Sequence, residues 1–271
     1  MNRLDARFQA LRAAGRPGLV TFITAGDPNP EWTDAAMHSV VRHGADVIEL
    51  GMPFSDPMAD GPVIQQANER ALAKGVGLVH VLEALRRFRQ LDRDTPVVLM
   101  GYLNPIERFG FEAFVRAAHA AGADALLLVD CPPEESDGHA ALLAELDLHQ
   151  IFLLAPTSPA ARRQRIAARA SGFLYYVSFK GITGAGHLEQ DSAIVALREV
   201  RALTRTPVAV GFGIKDAASA AALGAHADAV VIGSALVESM APARSEGDLD
   251  GRIGAFLDPI AQALRSLRLA A

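Results

Sequence analysis

Short apolar runs recur at regular spacing along the chain and predict a repeating strand–helix fold. Eight runs of four to six residues lie at 19–24, 47–51, 97–101, 125–129, 150–154, 174–178, 208–211 and 229–233. The first and the eighth run start 210 residues apart, which is 30 residues per step over seven steps and the size of one strand–helix–strand unit. The runs are continuously apolar rather than alternating, as expected for parallel strands that are buried on both faces.

Stretches with helical periodicity separate these runs. They lie at 32–43, 63–74, 78–91, 111–121, 160–170, 192–203 and 217–223, and residues 1–18 fit one more amphipathic helix. Eight alternating units without a linker predict a single (β/α)8 TIM barrel domain over 1–271, with an extra N-terminal helix and an extra helix after strand 2. A doubly wound open sheet is the alternative, although it normally has fewer strands and a dinucleotide-binding motif.

Composition argues against several classes of function. Half of the 271 residues are apolar and the formal net charge is −5, which favours a large core and argues against a nucleic-acid-binding face. No apolar run reaches the roughly 18 residues of a membrane span, and residues 1–18 lack the apolar stretch of a signal peptide. We therefore expect a soluble, cytoplasmic protein. Cys131 is the single cysteine and the eight histidines are scattered along the chain, so the sequence predicts no metal site.

A carboxylate interrupts the second apolar run. Burying Glu49 costs several kcal/mol unless it is paired, and desolvation raises a carboxyl pKa, which suits proton transfer near neutral pH. The alternative is a structural ion pair inside the barrel. In the loop that follows, Asp60 taken alone fits the N-cap of a helix that starts near Pro62, and Asp56 fits a turn.

Glycine-rich loops follow the last three runs. They read G-I-T-G-A-G at 181–186, G-F-G at 211–213 and G-S at 233–234. Glycine lets backbone N–H groups approach an anion, and TIM barrels often bind phosphate after strands 7 and 8. These loops predict a phosphorylated substrate. Apolar side chains near the strand ends belong to the core or line a pocket for a flat ring: Phe22, Met100, Tyr102, Leu127, Val129, Leu153, Tyr175 and Phe212.

The stretch E-L-G-M-P-F-S-D-P-M-A-D-G-P-V-I-Q at 49–65 closely resembles the signature of the tryptophan synthase alpha chain family. Further segments resemble other strand ends of that family in the same order: 22–28, 100–105, 176–184, 211–214 and 232–235. The resemblance implies a carbon–carbon lyase of tryptophan biosynthesis that cleaves indole-3-glycerol phosphate to indole and glyceraldehyde 3-phosphate. It also implies a separate beta chain that carries pyridoxal phosphate, no cofactor in this chain, and an αββα heterotetramer.

The same resemblance assigns roles to individual residues. It implies that Glu49 and Asp60 are the catalytic pair. The substrate-binding residues that it implies are Phe22, Leu127, Leu153 and Tyr175 around the indole, with Thr183, Gly184, Gly213, Gly233 and Ser234 in the phosphate loops. The residues that would face the beta chain are Pro53, Asp56, Asn104, Pro132 and Glu134. The sixth loop departs from the family pattern: Phe179 stands where many relatives have Arg, and Lys180 follows it. This departure affects the contacts that would close the loop.

Other functions remain open at this point. Lys180 lies just past the sixth run, near the place where Schiff-base aldolases of this fold carry their lysine. A free-standing lyase that releases indole would share the chemistry and differ only in its partner. A third possibility is a non-catalytic chain that activates a beta chain, although Glu49 and Asp60 argue against it.

Overall fold

Eight parallel strands close into a barrel in the structure of the chain, a computed structural model that describes residues 1–177, 187–211 and 213–268, with the backbone alone at 187–193. Each strand pairs with its neighbours in chain order, and the last strand pairs with the first. The strands are β1 (Gly18–Thr24), β2 (Val47–Gly51), β3 (Val97–Gly101), β4 (Ala125–Leu128), β5 (His149–Leu154), β6 (Leu174–Val177), β7 (Val208–Gly211) and β8 (Ala229–Ile232). The predicted (β/α)8 TIM barrel is confirmed.

Twelve α-helices surround or cap the barrel in the described ranges. They are α1 (Arg3–Ala13), α2 (Thr33–Arg42), α3 (Pro62–Ala73), α4 (Leu78–Leu91), α5 (Leu103–Phe109), α6 (Phe111–Ala121), α7 (Asp137–Glu145), α8 (Ala160–Arg169), α9 (His187–Leu203), α10 (Ala217–Gly224), α11 (Ser234–Met240) and α12 (Glu246–Ser266). The extra helices expected at the N-terminus and after strand 2 are present as α1 and α3. None of the helices in these ranges is long and apolar enough to cross a membrane.

The observed elements differ from the sequence-based boundaries mainly at their ends. Strands β1, β4, β5 and β8 differ from the predicted runs by one residue at one end. Helix α9 begins five residues earlier than expected, and the predicted helical stretches do not include α5, α7, α11 and α12. Helices α5, α7 and α11 have only 7, 9 and 7 residues, so their helical periodicity is weak, and Pro259 interrupts the helical pattern of α12.

Strand alternation divides the core into two layers. Along β1, Leu19 and Ile23 belong to the layer between the barrel and its helices, whereas Val20 belongs to the barrel interior. Helix α1 inserts Leu4, Phe8 and Leu11 into that interior from the N-terminal ends of the strands. This end of the barrel is therefore closed by apolar side chains, and the opposite end is left for the loops after the strands.

Three aspartates link neighbouring strands at the closed end. Asp46, Asp124 and Asp228 directly precede β2, β4 and β8. Each carboxylate accepts a hydrogen bond of 2.8–3.0 Å from the backbone N–H of one residue near the start of the preceding strand. The backbone carbonyl of the same residue accepts a hydrogen bond from the backbone N–H of the aspartate. The strand partners are Leu19, Val97 and Val208, and the paired arginines are Arg16, Arg89 and Arg201.

Candidate active site

Glu49 lies on β2 inside the barrel, in register with Phe22 on β1 and Val98 on β3. Its side chain is 1% exposed, and neither carboxylate oxygen has a hydrogen-bond partner among the described residues. Burial raises the pKa of Glu49 to about 8, because the charged form cannot be solvated there. The structural ion pair considered for Glu49 has no partner in the described part of the chain, and the side chain is a neutral acid at pH 7.

Asp60 lies in the loop between β2 and α3 and is half-buried. Burial raises the pKa of Asp60 to about 6, while a hydrogen bond with Tyr102 partly lowers it. The N-cap of α3 is Gly61 rather than Asp60, so the capping role considered from the sequence does not apply. The carboxyl group of Asp60 therefore does not cap α3, and with a pKa of about 6 it is mostly ionised at pH 7.

Tyr102 connects the Asp60 loop to the neighbouring strand end. It directly follows β3, is 4% exposed, and its hydroxyl oxygen accepts a hydrogen bond of 3.1 Å from the Ala59 N–H. Its ring contacts Phe54 with the ring centroids 5.3 Å apart. The sequence identifies Tyr102 only as an aromatic residue near a strand end. Its contact with the loop crosses 43 residues of chain, which no local pattern could indicate.

Tyr175 on β6 is influenced by both carboxyl groups. Burial raises the pKa of its hydroxyl, and the charges of Glu49 and Asp60 raise it further. A Cβ at Gly211 would lie 2.5 Å from the Tyr175 hydroxyl oxygen, so only glycine at 211 leaves room for the ring. Glu49 and Tyr175 line one cavity at the C-terminal ends of the strands, whereas Asp60 lies outside the wall of that cavity.

A cavity of about 370 Å³ opens beside Glu49 at the C-terminal ends of the strands. Its wall contains six predicted site residues, namely Phe22, Glu49, Tyr175, Gly213, Gly233 and Ser234. It also contains Met100, one of the apolar side chains considered for a pocket, and Lys215, Ile64 and Glu238, which were not assigned to the site from the sequence. Lys215 could have been suspected, because it is one of three lysines in the chain and follows the glycine loop after β7.

The remaining predicted substrate contacts lie outside the wall of this cavity or outside the described residues. Leu127 on β4 is fully buried in the barrel interior, and Leu153 on β5 packs against the same interior layer. Thr183 and Gly184, together with Phe179 and Lys180, lie outside the described residues. Gly213 has a φ of +50°, a conformation that favours glycine, and Gly233 is the N-cap of α11.

A second crevice, of about 560 Å³, gathers part of the predicted partner-facing set. Pro53 and Asn104 both line it, next to the exposed apolar side chains of Val79 and Phe109. The other predicted residues are outside its wall: Asp56 and Glu134 are exposed, and Pro132 is half-buried. Met58, on the same loop as Asp56, is 82% exposed.

Comparisons with known proteins relate the whole chain to one family. A family model described as tryptophan synthase alpha chain matches residues 8–253. The tryptophan synthase alpha chains of Laribacter hongkongensis and Bordetella bronchiseptica are 56% and 54% identical, covering 97% and 99% of this chain and 99% and 95% of their own lengths. The crystal structure of tryptophan synthase subunit alpha from Legionella pneumophila superposes with a TM-score of 0.91 at 42% identity, covering 98% of this chain and 100% of that chain.

Proposed function

The chain belongs to the tryptophan synthase alpha chain family, and on this premise we propose that it cleaves indole-3-glycerol phosphate to indole and glyceraldehyde 3-phosphate beside Glu49. Its family makes it a lyase of tryptophan biosynthesis, and members of the family work with a beta chain. One observation carries the proposal: Glu49 is buried without a hydrogen-bond partner among the described residues and lines a cavity that also contains the glycine loops after β7 and β8. Burial raises the pKa of Glu49 to about 8 and that of Asp60 to about 6, so at pH 7 Glu49 can donate a proton while Asp60 is ionised.

Glu49 performs the proton transfers in this proposal. Protonated at pH 7, it delivers its proton to C3 of the indole ring, which turns the ring into an electron-accepting iminium. The Glu49 carboxylate then removes the proton from the hydroxyl on the carbon attached to C3. That carbon becomes the aldehyde, the electron pair of the broken carbon–carbon bond returns to the ring, and Glu49 is protonated again. General acid–base steps of this kind contribute roughly a hundred- to ten-thousand-fold in rate.

Asp60 stabilises the positive charge that protonation creates. As a carboxylate at pH 7 it accepts a hydrogen bond from the ring N–H, and this bond strengthens as the ring becomes cationic. Tyr102 supports the assignment, because it holds the adjacent Ala59 N–H and lowers the pKa of Asp60. The ring itself would pack among Phe22, Leu127, Leu153 and Tyr175.

The phosphate of the substrate would occupy the end of the cavity formed by Gly213, Gly233 and Ser234, and Thr183 and Gly184 would complete the set. Backbone N–H groups at these loops suit an anion, and the short helix α11 after β8 is the extra helix that often accompanies phosphate sites in this fold. Lys215 adds a positive charge on the same wall. We assign its ammonium group to the phosphate.

The beta chain would bind the face that carries Pro53, Asp56, Asn104, Pro132 and Glu134 in an αββα heterotetramer, and it would carry the pyridoxal phosphate. The exposed side chain of Met58 and the crevice beside Val79 support an apolar partner surface on this side. The proposal also treats 1–271 as one domain that works in the cytoplasm and needs no cofactor of its own.

The proposed reaction is tested by indole formation from indole-3-glycerol phosphate, with and without a beta chain. We expect E49Q to lower kcat by at least about a hundredfold. E83Q makes the same chemical change on the exposed face of α4 and should leave kcat within about twofold of the wild type. Full activity of E49Q would refute the assignment. Borohydride in the presence of substrate should trap no covalent adduct, since only an imine would be captured.

A further inference from the structure

A separate cavity of about 670 Å³ lies at the closed end of the barrel, opposite Glu49. We call it the basal cavity. It is bounded by the end of α1 with the turn before β1, by the end of α9 with the turn before β7, and by Asp228. Its volume falls within the range of roughly 300–1,000 Å³ that small-molecule sites occupy.

Positive charge is concentrated in the wall of the basal cavity. Arg12, Arg16, Arg201 and Arg205 line it, and Asp228 is its only acidic residue among the described ones. The chain as a whole carries a net charge of −5, so this wall departs strongly from the rest of the molecule. Several like charges around one concave surface attract an anion by their summed field.

Two of the four arginines already have partners. Arg16 forms two hydrogen bonds of 2.8 and 2.9 Å with Asp46, and Arg201 contacts Asp228 at 3.1 Å. The second oxygen of Asp228 accepts the backbone N–H of Val208. Both acidic groups are therefore already paired, and Asp46 also has Arg7 at 3.7 Å.

The other two arginines, Arg12 and Arg205, are exposed at the rim of the cavity and have no such partner. Within 1–177, 187–211 and 213–268, neither Arg12 nor Arg205 forms an ion pair or a side-chain hydrogen bond. The Thr204 hydroxyl accepts the Thr206 N–H at 3.0 Å and keeps its own proton for donation. The wall therefore offers two planar guanidinium groups and one hydroxyl donor to a ligand that supplies only acceptors.

We propose that the basal cavity is a binding site for a phosphate group, free or as a monoester, held between Arg12 and Arg205. Guanidinium groups bind tetrahedral oxyanions through paired N–H donors, and a dianion neutralises both uncompensated charges. Phe8 and Leu11 form the inner wall, on which the organic part of a monoester would rest. This site lies at the strand N-termini, so it is distinct from the phosphate end proposed beside Gly213.

The test follows the Nε–Hε signals of the arginines by ¹H–¹⁵N NMR during titration with inorganic phosphate at constant ionic strength. R12Q and R205Q each remove one signal and so assign it. We expect both signals in the wild type to shift with one saturating curve, and each variant to raise the Kd read from the remaining signal by at least about tenfold. Shifts that are linear, or equal in chloride, would overturn the site and show solvated arginines only.

R86Q and R93Q are the matched controls, because these arginines are exposed, as Arg12 and Arg205 are, and each substitution removes one positive charge, as R12Q and R205Q do. We expect both to leave the Kd unchanged, and an equal loss in either control would show a non-specific charge effect and overturn the proposal. Glycerol 3-phosphate serves as a second probe. If glycerol 3-phosphate binds more tightly than inorganic phosphate, the site is assigned to a phosphate monoester. If the two bind equally, the site is assigned to free phosphate, and both results support a phosphate site.

Discussion

At the scale of single residues, Glu49 lowers the stability of the fold that holds it. Its pKa is raised from 4.5 to about 8 by burial, so between these pH values the folded protein retains a proton that the unfolded chain has released. The free energy of unfolding therefore falls as pH rises through this window and is constant above it. The catalytic role proposed for Glu49 is therefore combined with a cost in stability.

Replacing Glu49 by glutamine should make the protein more stable while it removes activity. E49Q takes away the proton linkage, so we expect its gain in unfolding free energy over the wild type to be about 1 kcal/mol at pH 5 and about 3 kcal/mol at pH 7. Urea unfolding at both pH values measures the difference. A gain that does not grow with pH would contradict the buried, uncompensated carboxyl group, and E83Q should show no gain.

The pH dependence of kcat/KM should be bell-shaped, with limbs near pH 6 and pH 8, because Asp60 must be ionised and Glu49 protonated. In Y102F the acidic limb should move to higher pH, since the hydrogen bond that lowers the pKa of Asp60 is lost. The alkaline limb should stay in place. Rates from pH 5 to 9 test this, and Y176F, on the outer side of the same barrel, should change neither limb.

At the scale of elements, the loop between β7 and α10 adds the side chain of Lys215 to the proposed phosphate site, where the glycine loops contribute backbone N–H groups. We expect K215Q to raise KM for indole-3-glycerol phosphate by about three- to tenfold without changing kcat, because the charge acts on the phosphate and not on the reacting carbon. The effect should shrink as salt rises. K74Q, at the end of α3 and outside the cavity, should behave as the wild type in steady-state kinetics.

The aspartates that precede the strands should matter for stability and not for chemistry. Asp124 is 2% exposed on its side chain and pairs with Arg3 and Arg89, both at 2.9 Å. D124N leaves Arg89 largely buried without its charge partner, so we expect a loss of about 3 kcal/mol in unfolding free energy with kcat unchanged. Urea unfolding measures it. D94N, at an exposed aspartate, is the control. A loss of unfolding free energy of similar size in D94N would contradict the explanation by the buried ion pair.

The elements show which features the sequence can predict. The strands are predictable because a strand buried on both faces must be apolar at every position, as from Val97 to Gly101. Glu49 stands out for the same reason, as an exception within such a run. The contact between Tyr102 and the Asp60 loop and the cavity wall around Lys215 are not predictable this way, because they depend on segments that only the closed barrel brings together.

At the scale of the whole molecule, the two ends of the barrel carry different structural features. The closed end carries the aspartate links and the basal cavity, whereas the open end carries the carboxyl groups and the apolar crevice beside Asn104. V79R should raise the Kd for a beta chain by at least about tenfold, because Val79 is 52% exposed in the wall of this crevice. Calorimetric titration measures it. Val195, 55% exposed on α9, gives the control V195R, and an equal loss there would argue against this face.

Helix α1 has a consequence for the way this protein is made. The Asn2 side chain donates its hydrogen bonds to the carbonyl oxygens of Asp124 and Asp147, which are synthesised only after 122 and 145 further residues. The apolar face that closes the barrel must therefore wait, uncovered, until more than half of the chain has been translated. During that interval Leu4, Phe8 and Leu11 present apolar surface of the kind that makes incompletely folded chains prone to aggregate.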